Sequence, residues 1–415
     1  MLESIIDDRS VLHSLAPEQR DRLLQAVALV HHPEPRARRR KLKILARERA
    51  QEKARVTEAL LNQTGIRTLR RKPVFSTPNC FPPQAPGQHD ARNRGTETHA
   101  PNHSPELLHC YACKKKYTQV HHFYDQLCPA CAQLNFFKRT ETADLRGRVA
   151  LLTGGRVKIG YQAGLKLLRA GAELIVTTRF PRDSAARYAQ EPDFGEWGQR
   201  LEIFGLDLRH TPSVEAFCTQ MLATRPRLDF IINNACQTVR RPPAFYTHMM
   251  ASETTALQNL PEGVRNLIGA YEGLRSPDLL PDANATGLQA RVVGLTDAAG
   301  LTRAAELSQV PLLADELLGQ SHLFPEGRLD QDLQQIDLRG RNSWRLQMDE
   351  VPSVELLETQ LVNAVAPFII NARLKPLMLR TTNGEPSTRD KHIVNVSAVE
   401  GQFYRNFKTT KHPHT

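Results

Sequence analysis

Four cysteines fall in two C-x-x-C pairs, Cys110-Tyr111-Ala112-Cys113 and Cys128-Pro129-Ala130-Cys131, with fourteen residues between the pairs. Each pair can place two thiolates on one ion, and four thiolates complete the closed tetrahedral shell of structural zinc. The spacing therefore predicts a structural Zn2+ held by Cys110, Cys113, Cys128 and Cys131. A closed shell leaves no position for a substrate. Nothing in this segment is long enough to form a core without the metal, and the stretch around Lys114-Lys115-Lys116-Tyr117 and Phe123-Tyr124 suits the short strands of a zinc ribbon. The competing reading is a set of unrelated buried or redox thiols. Cys80, Cys218 and Cys236 lie outside the pattern.

A second set of residues can bind an anion. The apolar run Val149 to Leu152 ends in Thr153-Gly154-Gly155-Arg156-Val157-Lys158-Ile159-Gly160. A helix-compatible stretch, Tyr161 to Arg169, and another apolar run, Leu174 to Thr178, follow. This is the layout of a strand, a glycine turn, a helix and a second parallel strand. Glycine lets backbone approach a pyrophosphate closely and feeds the anion into the positive end of a helix. Taken alone, such glycines also serve any ordinary strand-to-helix turn.

The order of later segments decides between these readings. Leu201 to Leu208 is a third strand candidate carrying Asp207, and a fourth, Leu228 to Ile232, runs into Asn233-Asn234-Ala235. A helix expected from Pro352-Ser353 carries Asn363 with Ala366-Pro367-Phe368, and the run His392 to Val396 ends in Ser397. In this combination the chain from about residue 145 to its end resembles the short-chain dehydrogenase/reductase family. The resemblance implies an α/β fold, a doubly wound parallel Rossmann sheet with helices on both faces and ligands at the C-terminal ends of the strands. It also implies roles. Thr153, Gly154, Ile159 and Gly160 belong to the pyrophosphate turn, Asp207 and Leu208 border the adenine, and Asn233, Asn234 and Ala235 line the cofactor cleft. Asn363 holds a water in a proton relay, and Ser397 hydrogen-bonds the substrate. The family's tyrosine and lysine, four residues apart, find a counterpart in Tyr404 and Lys408. The tyrosine exchanges the proton, and the lysine lowers its pKa.

Charge argues for the cofactor. An NAD-preferring site usually carries an acid at the end of the second strand, to accept bonds from the ribose 2′-hydroxyl. Here that position is Arg179, and Arg156 lies in the glycine turn. Both attract a 2′-phosphate, so NADP is favoured over NAD. The competing reading is two solvated surface arginines. The chain also departs from the family. Lys158 stands where a further glycine is usual. Roughly residues 237–350 are an insertion, expected to be a partly helical lid with helices near Ala251–Leu274 and Arg328–Leu338. Tyr404 follows Ser397 by seven residues, about half the usual gap, so the chain is expected to be C-terminally incomplete and to show no reductase turnover. The main reading is an NADP-dependent oxidoreductase acting on a carbonyl/alcohol pair. The alternative is a catalytically impaired dinucleotide-binding scaffold that meets partners through the zinc module.

These sites must be carried by a chain of 415 residues, long enough for two or three domains. We divide it into a helical basic region (1–72), a disordered linker (73–105) rich in Pro, Asn, Gly, His and Ser, the zinc-ribbon-like module (106–140) and the Rossmann domain (145–415). The formal net charge is +11, and residues 1–72 carry seventeen Lys/Arg against nine Asp/Glu, a surplus of eight. One helix is expected from Pro17, with Leu23, Val27 and Val30 on one side, and another from about Arg36 to Leu61. The second carries Arg39, Arg40, Lys41, Lys43, Arg47, Arg49, Lys53 and Arg55. It is either a solvated face paired locally by Glu48 and Glu52 or a contact for RNA or an acidic protein. No apolar stretch reaches the eighteen or so residues of a membrane span, and the acidic start is wrong for a secretory signal. The cysteine usage points to the reducing cytoplasm. Neither the substrate nor a homo-oligomeric state can be read from the residues.

Overall fold

The structure is a computed structural model, and it describes residues 5, 8–31, 35–70, 103–275, 299–318, 320, 322–330, 334–343, 346–380 and 390–398. Tyr404 and Lys408 lie outside these residues, as does most of the linker. The described residues form two compact units, one up to residue 71 together with 103–139, the other from residue 140 onward.

In the first unit, α1 (Pro17–His31) begins at a proline whose missing N–H costs a first helical turn nothing. Leu23, Val27 and Val30 do not make a core, since the helix buries no residue and Val30 is 84% exposed. The long α2 (Pro35–Asn62) exposes its basic residues from Arg39 to Arg55 and buries Thr57 and Leu61. Its C-terminal half packs on β1 (His103–His109), which pairs antiparallel with β2 (Lys116–Gln119). The Thr57 and Ser104 hydroxyls meet at 3.3 Å. In α3 (Gly65–Arg70), Arg67 donates to the buried carboxylate of Asp125 at 2.8 Å. The basic helical region and the cysteine module are thus one packed body, where the sequence reading divides them at a linker.

The second unit is built on a parallel sheet. β3 (Val149–Thr153), β4 (Glu173–Thr178), β5 (Leu201–Gly205), β6 (Phe230–Asn233) and β7 (His392–Asn395) lie in the order β5-β4-β3-β6-β7. β3 is buried at every residue, as expected of a strand covered on both faces. The helices α5 (Lys158–Arg169), α6 (Pro181–Ala189) and α7 (Thr211–Thr224) connect successive strands. At the N-terminal ends of the strands Asp229, fully buried, accepts from the Val149 amide (2.8 Å), Arg227 (2.6 Å) and Lys391 (2.9 Å), with Arg148 at 3.2 Å. One carboxylate therefore ties β3, β6 and the entry to β7. Among the described residues β7 is one of the two sheet edges, exposed along its length.

The insertion is less a lid than an extension of the core. Instead of one helix from Ala251 to Leu274 there are two, α8 (Pro243–Glu253) and α9 (Glu262–Arg275). Val264, Leu267, Ile268 and Tyr271 of α9 join the main core, and the Tyr271 ring lies where a Cβ on Gly205 would be, 2.4 Å away. Arg328–Leu338 is not a helix. Its described residues have no helix and meet in one isolated antiparallel bridge between Leu329 and Gln335, with the buried Gln335 amide donating to Pro325 O at 2.7 Å. Gly327 turns the chain with φ +74°, a conformation that ends rather than starts a helix.

The last long helix runs through α10 (Ser353–Gln360), a π turn over Leu361–Val365, and α11 (Ala366–Leu379). By length and composition alone this stretch could cross a membrane, which corrects the sequence reading. Here Ala366, Ile369, Ile370, Leu374 and Leu377 pack into the core, while Phe368 and Leu379 face outward.

Candidate functional site

The glycine turn is fixed from below by the segment after β6. Thr153 Oγ1 accepts from the amides of Asn234 (3.1 Å) and Ala235 (3.0 Å). The Asn234 side chain returns Nδ2 to Thr153 O and Gly154 O, both at 3.1 Å. The packing leaves no room for side chains. A Cβ on Gly160 would stand 2.2 Å from Gly154 O and 2.4 Å from Asn234 Nδ2, and one on Gly154 would stand 2.9 Å from Ala235 Cα. Gly154 has φ +69°. Lys158, where the family usually has glycine, keeps the left-handed backbone with φ +56°, a strain of about 1–2 kcal/mol for a non-glycine residue. The turn thus holds its shape despite the substitution.

Above the turn opens a cleft of about 360 Å³. Gly154, Arg156, Lys158, Ile159, Gly160, Arg179, Asp207, Leu208, Asn234 and Ala235 all line it, and Ile159 is exposed there. Thr153 and Asn233 are not among the lining residues. Asn233 is a correction. Its Nδ2 donates to Asn371 Oδ1 (3.0 Å) and Asn395 Oδ1 (2.8 Å), away from the cleft. Asn233 ends β6, and its side chain is held by Asn371 of the last long helix and Asn395 of β7.

The two arginines differ in their partners. Arg156 is buried and ion-paired to Asp183 at 2.8 Å, with Met249 Sδ at 3.3 Å. Asp183 also takes Arg187. Arg179 has no carboxylate within ion-pair distance among the described residues and donates only to Tyr246 Oη, at 2.7 Å. Asp207 is buried and would be pushed up by burial, but the Arg209 guanidinium, at 2.6 Å, holds it below the usual carboxylate range. Arg209 reaches on to Glu358 (2.8 Å), and Glu358 to Arg240 (2.9 Å), which also pairs with Glu316. Asp207, expected to border the adenine, is therefore anchored to the insertion.

Of the residues expected to do chemistry, Asn363 and Ser397 are described, and neither is among those lining the cleft. Asn363 sits in the π turn, a helix defect frequent at functional sites. Its side chain pins the backbone of Gln237, accepting from the amide at 2.8 Å and donating to the carbonyl at 3.0 Å. The Ser397 hydroxyl is exposed and donates to the neighbouring Ala398 carbonyl at 3.3 Å. Cys236, Gln237, Val239, Tyr246 and Gln334 line the cleft without having been foreseen. Only Cys236 and Gln237 had a signal, their adjacency to Asn234-Ala235.

One buried acid from α8 caps the helix beside the cleft. Glu253 accepts from the amides of Arg182 (3.2 Å) and Asp183 (2.9 Å). Burial raises it to about 7, the two amides offsetting only part of that effect. Because the folded value lies above the unfolded one, its stabilisation is complete below about 4.5 and is lost as pH rises through about 7. Glu253→Gln should remove this dependence. The stability gap in favour of the variant should widen between pH 5 and 8 toward about 3 kcal/mol; parallel melting-temperature profiles for the two proteins would count against it.

In the first unit the four Sγ atoms of Cys110, Cys113, Cys128 and Cys131 lie within 4.8 Å of one another, Cys113 and Cys128 at 3.6 Å. A tetrahedron with Zn–S bonds of about 2.3 Å has edges of about 3.8 Å, so the donor set fits a tetrathiolate ion. Burial pushes the Cys110 thiol up, but amides of Cys128, Cys113 and Ala112 aimed at it bring it down to about 6. Cys128 is the N-cap of α4 (Pro129–Lys138), which sets Cys131 one turn along.

Residues 148–260 match the family model described as short chain dehydrogenase. An uncharacterized protein, R665, of Acanthamoeba polyphaga mimivirus is 28% identical over 317 residues, covering 74% of this chain and 55% of the relative. Dehydrogenase/reductase SDR family member 13 of Bos taurus is 37% identical over 105 residues, 24% of this chain and 27% of the relative. The chain thus spans about half, or about a quarter, of these proteins' own length. A solved short chain dehydrogenase from Shigella flexneri, complexed with NADP, is 15% identical over 58% of this chain and 57% of its own, with a TM-score of 0.30. That superposition adds nothing to the fold read from the sheet itself. Residues 148–260 of the α/β domain are thus similar to the short-chain dehydrogenases.

Proposed function

We propose that the α/β domain binds NADP(H) in preference to NAD(H) and works as an oxidoreductase on a carbonyl/alcohol pair. The supporting observation is a braced glycine turn opening into a cleft in which Arg179 has no carboxylate within ion-pair distance among the described residues. Gly154 and Gly160 would admit the pyrophosphate, Asp207 and Leu208 would border the adenine, and Arg179 would face the 2′-phosphate. Bound nicotinamide would supply or accept the hydride. Asn363 orders the Gln237 backbone beside the cleft, and Ser397 would hydrogen-bond the substrate oxygen. Arg179→Asp should reverse the cofactor order, with NADH bound more tightly than NADPH. An unchanged preference would remove the charge argument.

The cysteine cluster holds a structural zinc in this reading, and the reduced thiols suit the cytoplasm. One zinc per chain is expected by elemental analysis, lost in Cys110→Ser combined with Cys128→Ser. A wild-type protein without zinc would sink the assignment. The exposed basic residues of α2 from Arg39 to Arg55 remain a candidate contact for RNA or an acidic protein.

A further inference from the structure

The insertion places one aromatic residue inside the cleft. Tyr246, in the first turn of α8, is 7% exposed and held between the rings of Phe180 and Phe245, with centroids 5.0 Å from each. Phe245 is itself braced edge-on by Phe324 at 5.9 Å. The Arg179 guanidinium lies over the Tyr246 ring, 4.7 Å from its centroid, and donates to Tyr246 Oη at 2.7 Å. Arg156, the other nearby guanidinium, is taken up by Asp183. Three consequences follow. Arg179 is oriented by a rigid partner, no carboxylate among the described residues lies within ion-pair distance of it, and the phenol, having accepted from the arginine, still has its own proton to donate.

Resting on the NADP reading above, we propose that Arg179 and Tyr246 together form a phosphate clamp for the cofactor's 2′-phosphate, and that Tyr246, supplied by the insertion, sets the preference for the phosphorylated dinucleotide. The arginine fork brings charge and two N–H donors, and the phenol brings a third donor and fixes the fork. Pre-organisation of this kind raises affinity without new contact area.

The test is calorimetric titration of NADPH and NADH into the full chain and into Tyr246→Phe and Arg179→Ala. Tyr246→Phe keeps the ring and removes only the oxygen, so its thermal midpoint serves as the folding control. The expected result is a five- to tenfold weaker NADPH affinity in Tyr246→Phe, unchanged NADH affinity, and no preference at all in Arg179→Ala. Equal weakening of both nucleotides by Tyr246→Phe would make Tyr246 a packing residue and overturn the clamp. Unchanged NADPH affinity in Tyr246→Phe, with preference lost in Arg179→Ala, would overturn the clamp and leave the NADP reading standing. A preference unaltered by Arg179→Ala would remove both.

Discussion

Gly160→Ala should reduce dinucleotide affinity by at least a hundredfold and lower the melting temperature as well. The added methyl would sit 2.2 Å from Gly154 O and 2.4 Å from Asn234 Nδ2, and neither atom can yield independently. Gly154 O is the backbone of the turn itself, and Asn234 Nδ2 is the donor that holds the turn in place. Relief requires α5 to move away from β3, which withdraws the helix N-terminus from the anion it should face. Gly269→Ala in α9 is the matched control. No atom outside its own helix backbone lies within 4 Å of the added Cβ, so it should gain about 0.5–1 kcal/mol of stability and leave binding unchanged. Similar behaviour of the two variants would show that the turn is not the binding element.

The largest stability loss is expected from Asp229→Ala, about 3–5 kcal/mol by denaturant unfolding. The carboxylate is fully buried, and its removal leaves Arg227, Lys391 and Arg148 facing one another and the Val149 amide without an acceptor. Burial alone would raise its pKa, but Arg227, the Val149 amide and Lys391 bring it below the ordinary carboxylate value. A depressed folded value means that its stabilisation is complete above the unfolded pKa and lost as pH falls through the folded one. Asp229→Asn should therefore flatten the acid limb of the stability profile. A loss under 1 kcal/mol in Asp229→Ala would show that the three cations are solvated and the tie between strands unimportant.

The parts of the fold that were legible are those encoded locally. Four of the five strands of the parallel sheet are contiguous apolar runs, and the turn between β3 and α5 is written in its glycines. The cysteine cluster is likewise readable from spacing, because two C-x-x-C pairs can converge only if the segment between them folds back. What escaped depends on distant partners. Tyr271 filling the space above Gly205 and Tyr246 reaching Arg179 join residues more than sixty positions apart, and no periodicity marks them. Asn233 was grouped with Asn234 and Ala235 by adjacency, and its bonds to Asn371 and Asn395, far along the chain, carry no local signal. Arg328–Leu338 was mistaken for a helix because its leucines and isoleucine fall near helical spacing, while the turn at Gly327 and the bonds of Gln335 decide otherwise.

The separation between binding and chemistry in this domain is physical. The turn, Arg179 and most of the cleft lie within the matched residues 148–260, whereas Asn363 and Ser397 come from later elements and are not among the cleft's lining residues. Binding is therefore the property that the described residues support most directly. The measurement that tests it is titration of the purified 415-residue chain with NADPH and, side by side, NADH, followed by nicotinamide fluorescence. The account predicts saturable binding of one NADPH per chain, several-fold tighter than NADH. No saturable binding of either nucleotide, or equal affinity for both, would contradict it.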